Sequence, residues 1–113
     1  MDMIIENVDD LIELVGLRRE HLTRYPGQLS GGEIQRIVLA RIISIDPSFI
    51  VADEVTSMLD VSVQAQILRL MERIQEETNV SYLLISHDID LLKNVCDRIA
   101  YLENGSIARI EEI

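Results

Sequence analysis

The sequence predicts an α/β fold in which parallel strands are flanked by helices and a β-hairpin closes the chain. Three observations carry that expectation. Two short apolar runs, Phe49-Ile50-Val51-Ala52 and Tyr82-Leu83-Leu84-Ile85, have the length and composition of buried strands, and each runs into polar residues. A long helical stripe lies between them, and alternation of strand and helix implies a parallel sheet. Last, Asn104-Gly105 stands between two alternating runs, Arg98 to Glu103 and Ser106 to Ile110, a strong short-range hairpin signal.

The elements follow in order. Asn7 can cap a first helix from Val8 to Val15, with Val8, Leu11, Ile12 and Val15 on one face and Gly16 at its end. A polar segment holds Arg18, Arg19, Glu20 and His21, and Tyr25-Pro26-Gly27 breaks the chain. A second helix begins at Ser30, carries Ile34, Ile37, Val38, Arg41 and Ile42 at helical spacing, and stops before Asp46-Pro47. The strand at Phe49 ends in two acids, Asp53 and Glu54. The long helix starts near Val61, stacks Val63, Ile67, Leu70, Met71 and Ile74 as its core stripe, and terminates at Asn79. The second strand, Val80 to Ser86, delivers His87. A short helix then directs Leu91, Leu92 and Val95 inward. His21 reads as solvated, Cys96 as a small buried hydrophobe, and Tyr25 and Tyr101 as packing residues.

At 113 residues the chain has room for one small domain. A formal net charge of −10 argues against a nucleic-acid-binding face, which needs clustered Lys and Arg. The lone cysteine, Cys96, cannot form an internal disulfide and fits a reducing compartment. Met1-Asp2-Met3 does not read as a secretory leader, and no apolar stretch reaches the length of a membrane span.

Three short patterns carry chemistry. Leu29-Ser30-Gly31-Gly32-Glu33 has the form of a capping box, in which Ser30 and Glu33 bond reciprocally. A box does not explain two glycines in the first turn, each disfavouring helix by roughly 1 kcal/mol. They fit a helix end whose N–H groups bind an anion, phosphate above all. Asp53-Glu54 at the C-terminal edge of a parallel strand lies where α/β ligands bind, and could hold Mg²⁺ and orient a water; equally, such acids start turns and cap helices. Ser86-His87-Asp88 poses the same choice after the second strand.

In order and spacing, these patterns resemble the nucleotide-binding subunit of ABC transporters. The likeness runs from about Val8 to Ile110 and includes Gln35-Arg36 and Thr56-Ser57-Met58-Leu59-Asp60. Arg24-Tyr25-Pro26 and the run from Asp60 to Leu68 resemble the oligopeptide, dipeptide and nickel importer branch. The resemblance implies a partial P-loop NTPase fold. Residues 1–45 would form part of the helical subdomain with its signature helix, and 46–113 the C-terminal part of a RecA-like ATPase core. It implies ATP and Mg²⁺, bound only in a complete dimeric site. Ser30, Gly31, Gly32 and Glu33 would meet a nucleotide held by a second ATPase subunit, identical or different. Asp53 would serve the metal, Glu54 polarise the attacking water, His87 contact the γ-phosphate, and Asp60 cross the dimer interface. Transmembrane permease subunits would be the other partners, holding the protein at the cytoplasmic face of the membrane, and peptide uptake the task. Glu33 stands where Gln is commoner, Val55 where Pro is usual, and Met58 where a small residue is usual.

The resemblance also exposes a lack. A phosphate-binding loop needs Gly-x-x-x-x-Gly-Lys-Ser/Thr, and the only lysine is Lys93. The strand that carries that loop would lie between the one leading to His87 and the one near Ile99. Its absence predicts a gap inside the sheet, free edges that invite association, and an isolated chain without ATPase activity. The chain is therefore expected to be a truncated or split subunit. The alternative is a non-catalytic fragment that only pairs with other ABC subunits.

Overall fold

The protein is described over residues 8–113, from a computed structural model. Helix α1 (Val8–Leu14) is the predicted first helix; Asn7, its expected cap, lies outside the described residues. Gly16 at φ 74° ends it in the left-handed conformation that glycine adopts without a Cβ clash. Two short 3₁₀ turns, Arg19–Thr23 and Pro26–Gln28, lead into α2 (Gly31–Ile43). From α2, Arg36 Nη1 donates to the Val15 carbonyl at 2.6 Å, satisfying a carbonyl at the end of α1. A Cβ on Gly16 would lie 2.8 Å from that nitrogen, the far end of a side chain that can shift, so it is φ that favours glycine there.

Strand β1 (Phe49–Asp53) pairs in parallel with β2 (Ser81–Ile85), from Phe49 opposite Ser81 to Asp53 opposite Ile85. Their crossover is α3 (Val61–Thr78), which Asn79 closes in the left-handed conformation. The helix buries Ile67, Leu70, Met71 and Ile74 against Ile50 and Ala52 of β1, Val80, and Leu14, Val15, Leu39 and Ile43 from α1 and α2. Tyr82 anchors β2 to the helix by donating its hydroxyl to Met71 O at 3.0 Å, and burial pushes its phenol up to about 12. Next, α4 (Ile89–Val95) buries Leu92 and leaves Leu91 and Val95 half-buried.

The expectation that both strands are buried on both faces does not hold. Ile50 and Ala52 face the core, but Phe49, Val51, Leu83 and Ile85 on the opposite face stay exposed. A parallel sheet normally carries helices on both faces. Among the described residues only one face has its layer.

The hairpin follows as predicted, with β3 (Arg98–Glu103) antiparallel to β4 (Ser106–Glu112). Asn104 and Gly105 both take positive φ, 51° and 80°, as a two-residue turn matched to strand twist requires. The described strands form two separate two-stranded sheets; β2 and β3 do not pair. A cleft of about 390 Å³ lies between them, lined by Leu83 and Leu84 on one side and Ile99 and Ala100 on the other. It sits where the resemblance calls for a missing strand. Cys96 lines this cleft half-buried; burial, then Asp97, pushes its thiol up. Tyr101 is also half-buried, donating its hydroxyl to Glu111 beneath the Arg109 guanidinium. Tyr25, expected to pack, is exposed, because the 3₁₀ turns carry it on the outer side of the chain.

Candidate functional site

The first cluster is the mouth of α2. A helix begins with four N–H groups that have no partner within it. Here the capping box satisfies two: Ser30 N donates to Glu33 Oε1 at 2.9 Å, and Glu33 N to Ser30 Oγ at 3.1 Å. The N–H groups of Gly31 and Gly32 have no partner among the described residues. The capping and anion-binding readings of this segment are therefore compatible. Ser30 also keeps its hydroxyl proton to donate, since Oγ serves the helix only as an acceptor.

The glycines have a second reason that sequence alone did not show. A Cβ on Gly31 would lie 2.9 Å from Leu59 Cδ2, and one on Gly32 2.8 Å from Val63 Cγ1. The start of α2 thus packs tightly against the turn before α3 and its first residues. Asp60, in that turn, accepts Val63 N at 2.9 Å and caps α3, so one carboxylate oxygen has a local task.

Glu33 is more constrained than a capping residue needs to be. Its Oε2 lies 2.7 Å from His21 Nε2 and 4.0 Å from Arg24 Nη1. The Ser30 backbone hydrogen bond, aided by His21, holds its carboxyl below the usual 4.5 against an opposing effect of burial. His21 is not solvated, as its polar neighbours imply, but only 12 % exposed. Arg18 N and Arg18 O lie 2.9 and 3.3 Å from its Nδ1, while Nε2 faces Glu33. The partners are twelve residues apart and meet only because the 3₁₀ turns fold back on α2.

The second cluster lies at the C-terminal ends of β1 and β2. The parallel register puts Asp53 opposite Ile85, and Glu54 N donates to Ile85 O at 2.9 Å. Glu54 and His87 therefore meet, with His87 Nδ1 3.4 Å from Glu54 Oε1. This close approach is not a well-directed hydrogen bond, and Glu54 Oε1 is a buried acceptor with no hydrogen-bond partner among the described residues. His87 is 97 % exposed and so can turn toward a ligand. Glu54 adopts φ 54°, a conformation that costs a non-glycine residue roughly 1–2 kcal/mol. Ser57 stabilises it, donating both its N–H and its Oγ to Glu54 O at 3.2 and 3.0 Å. Gln64 holds the same loop by donating Nε2 to Thr56 O at 3.2 Å. Asp46, Asn79 and Asn104 also take positive φ, so the conformation alone assigns no role to Glu54.

These residues suit a magnesium nucleotide. Asp53 is exposed at the strand end, and its side chain has no ion pair or hydrogen bond among the described residues. Among the described residues no group of three or more metal-ligating side chains gathers. Mg²⁺ does not need one, since it takes one or two carboxylates and completes its shell with phosphates and water. Glu54 stands next to Asp53 in the chain, its Oε1 buried beside His87. No hydrogen bond or ion pair links this cluster to the mouth of α2 among the described residues.

The family model for ABC transporters matches residues 1–57. The chain is 50 % identical over 103 residues to the oligopeptide transport ATP-binding protein OppF of Streptococcus mutans, a match covering 91 % of this chain and 33 % of that protein. It is 48 % identical over 101 residues to the dipeptide transport ATP-binding protein DppF of Lactococcus lactis, covering 89 % and 32 %. The chain thus spans about a third of the length of the curated relatives it matches. Its fold matches the ATP-binding cassette MJ0796, in a dimeric post-hydrolysis state bound to ADP and Pi, with TM-score 0.74 and 27 % identity over 99 % of this chain and 50 % of that one. It matches cbiO1 of Clostridium perfringens, part of the ABC transporter complex cbiONQ, with TM-score 0.82 and 27 % identity over 93 % and 41 %. With the order of its motifs, its parallel strands and this family match, the chain belongs to the ABC transporter family.

Proposed function

We propose that this chain is the C-terminal part of an ATP-binding subunit that energises uptake of oligopeptides or dipeptides. The observation that carries the reading is the mouth of α2, where the capping box leaves the N–H groups of Gly31 and Gly32 free for a phosphate. Residues 1–45 serve as part of the helical subdomain and 46–113 as part of the ATPase core. Ser30, Gly31 and Gly32 meet the phosphates of an ATP held by a second subunit, aided by the dipole of α2. Glu33 shapes that mouth, and Asp60 sets the turn beside it while presenting its second oxygen to the partner. Asp53 would hold Mg²⁺, which would neutralise phosphate charge. Glu54 would accept from the attacking water, and His87, 3.4 Å from it, would turn to donate to a phosphate oxygen. Peptide transport is supported by the names of the relatives. Permease subunits would hold the protein at the cytoplasmic face of the membrane; no helix among the described residues is long and apolar enough to cross it.

A second reading, a purely interacting fragment, draws on the cleft between β2 and β3, whose unpaired edges favour association without catalysis. Sedimentation of the chain with full-length OppF of Streptococcus mutans, with and without MgATP, separates the two. The ATP-binding reading expects association that requires MgATP and is lost in G31D, which places a carboxylate at the phosphate position. Association indifferent to nucleotide supports the second reading, and no association in either condition defeats the first.

A further inference from the structure

Glu33 poses a problem at the mouth of α2. N–H groups at a helix start bind anions, and the Glu33 carboxylate is itself an anion in the first turn. Left free, it would compete for the Gly31 and Gly32 N–H groups and repel a phosphate approaching them. In the structure both its oxygens are drawn elsewhere. Oε1 accepts from Ser30 N, and Oε2 is held by His21 Nε2 at 2.7 Å. His21 is locked in turn by Arg18 N–H on its other nitrogen and by burial. Arg24, at 4.0 Å, adds a weaker cation to the same oxygen.

We propose that His21 is a positioning residue that holds the Glu33 carboxylate away from the mouth of α2, keeping the Gly31 and Gly32 N–H groups open to a phosphate. The proposal rests on the ATP-binding reading above. It explains how glutamate is accommodated in a first turn that must receive another anion. It also assigns a task to the segment before α2, whose other approach to this cluster is Arg24.

The test measures the MgATP concentration that half-associates the chain with full-length OppF of Streptococcus mutans, using H21A, E33Q and H21A/E33Q. H21A is expected to raise that midpoint about tenfold, the effect of one unscreened charge near a bound anion. Removing the charge should make His21 dispensable, so H21A/E33Q is expected within about twofold of E33Q alone. A purely structural role for His21 would leave the double variant as weak as H21A, and that result overturns the proposal. So does an H21A midpoint equal to wild type. Should H21A fail to fold, H21Q and H21N decide, because Gln can place a donor where Nε2 stands and Asn cannot; equal midpoints for those two overturn it. Wild type that does not associate defeats the ATP-binding reading and this proposal together. Wild type that associates while H21A matches it defeats the proposal alone.

Discussion

Replacing Gly32 by alanine tests whether packing, as well as ligand approach, demands glycine at the start of α2. Alanine favours helix over glycine by up to about 1 kcal/mol, so propensity alone predicts a stabilised protein. The structure predicts the reverse. A Cβ at this buried position would lie 2.8 Å from Val63 Cγ1, closer than real Cβ contacts come. Val63 is β-branched and sits in the first turn of α3, so it has essentially one χ1 rotamer and cannot swing aside. Overpacking of this kind costs about 1–3 kcal/mol, and subtracting the propensity gain of about 1 from the middle of that range leaves G32A about 1 kcal/mol less stable. Urea denaturation followed by circular dichroism measures the difference. Val63→Ala removes the clashing methyl, so the G32A cost should largely vanish in that background, giving a coupling of about 1 kcal/mol. G31A supplies the contrast: its Cβ would meet the end of the flexible Leu59 side chain, which can move, and stability should stay within about 0.5 kcal/mol of wild type. The reasoning is refuted if G32A is as stable as wild type, or if its cost is undiminished beside Val63→Ala.

Two further predictions concern the carboxylates. Asp60 caps α3 through its bond to Val63 N, so D60A should lose about 1 kcal/mol in the same assay while D60N, which keeps the acceptor, stays close to wild type. The Glu33 carboxyl is held below 4.5, chiefly by the Ser30 backbone hydrogen bond. A depressed folded value stabilises the protein above the unfolded one, and that contribution is lost as pH falls through the folded value. The urea midpoint of wild type should therefore drop below about pH 4.5 more steeply than that of E33Q, and parallel profiles would show that the Glu33 bonds do not form in solution.

The features legible along the chain are largely local. The Ser30–Glu33 box, the Asn79 terminator and the Asn104-Gly105 turn each join residues at most three or four positions apart, or depend on one residue's φ. Hydrophobic period located the helices and strands for the same reason: the chain's own geometry sets it. The acids and the histidine after the two strands were also legible, because a parallel pair carries its C-terminal ends to one edge. Only the tertiary structure decided the rest. It brought Glu54 within 3.4 Å of His87 through the register of two strands separated by a helix. It turned His21 from a solvated residue into the partner of Glu33, and set Arg36 against the end of α1. It showed Phe49, Val51, Leu83 and Ile85 bare where their composition promised burial, because an apolar strand reads the same whether or not a second layer exists to cover it. Contacts of this kind depend on which surfaces the folded chain brings face to face, and no periodicity in the sequence encodes that.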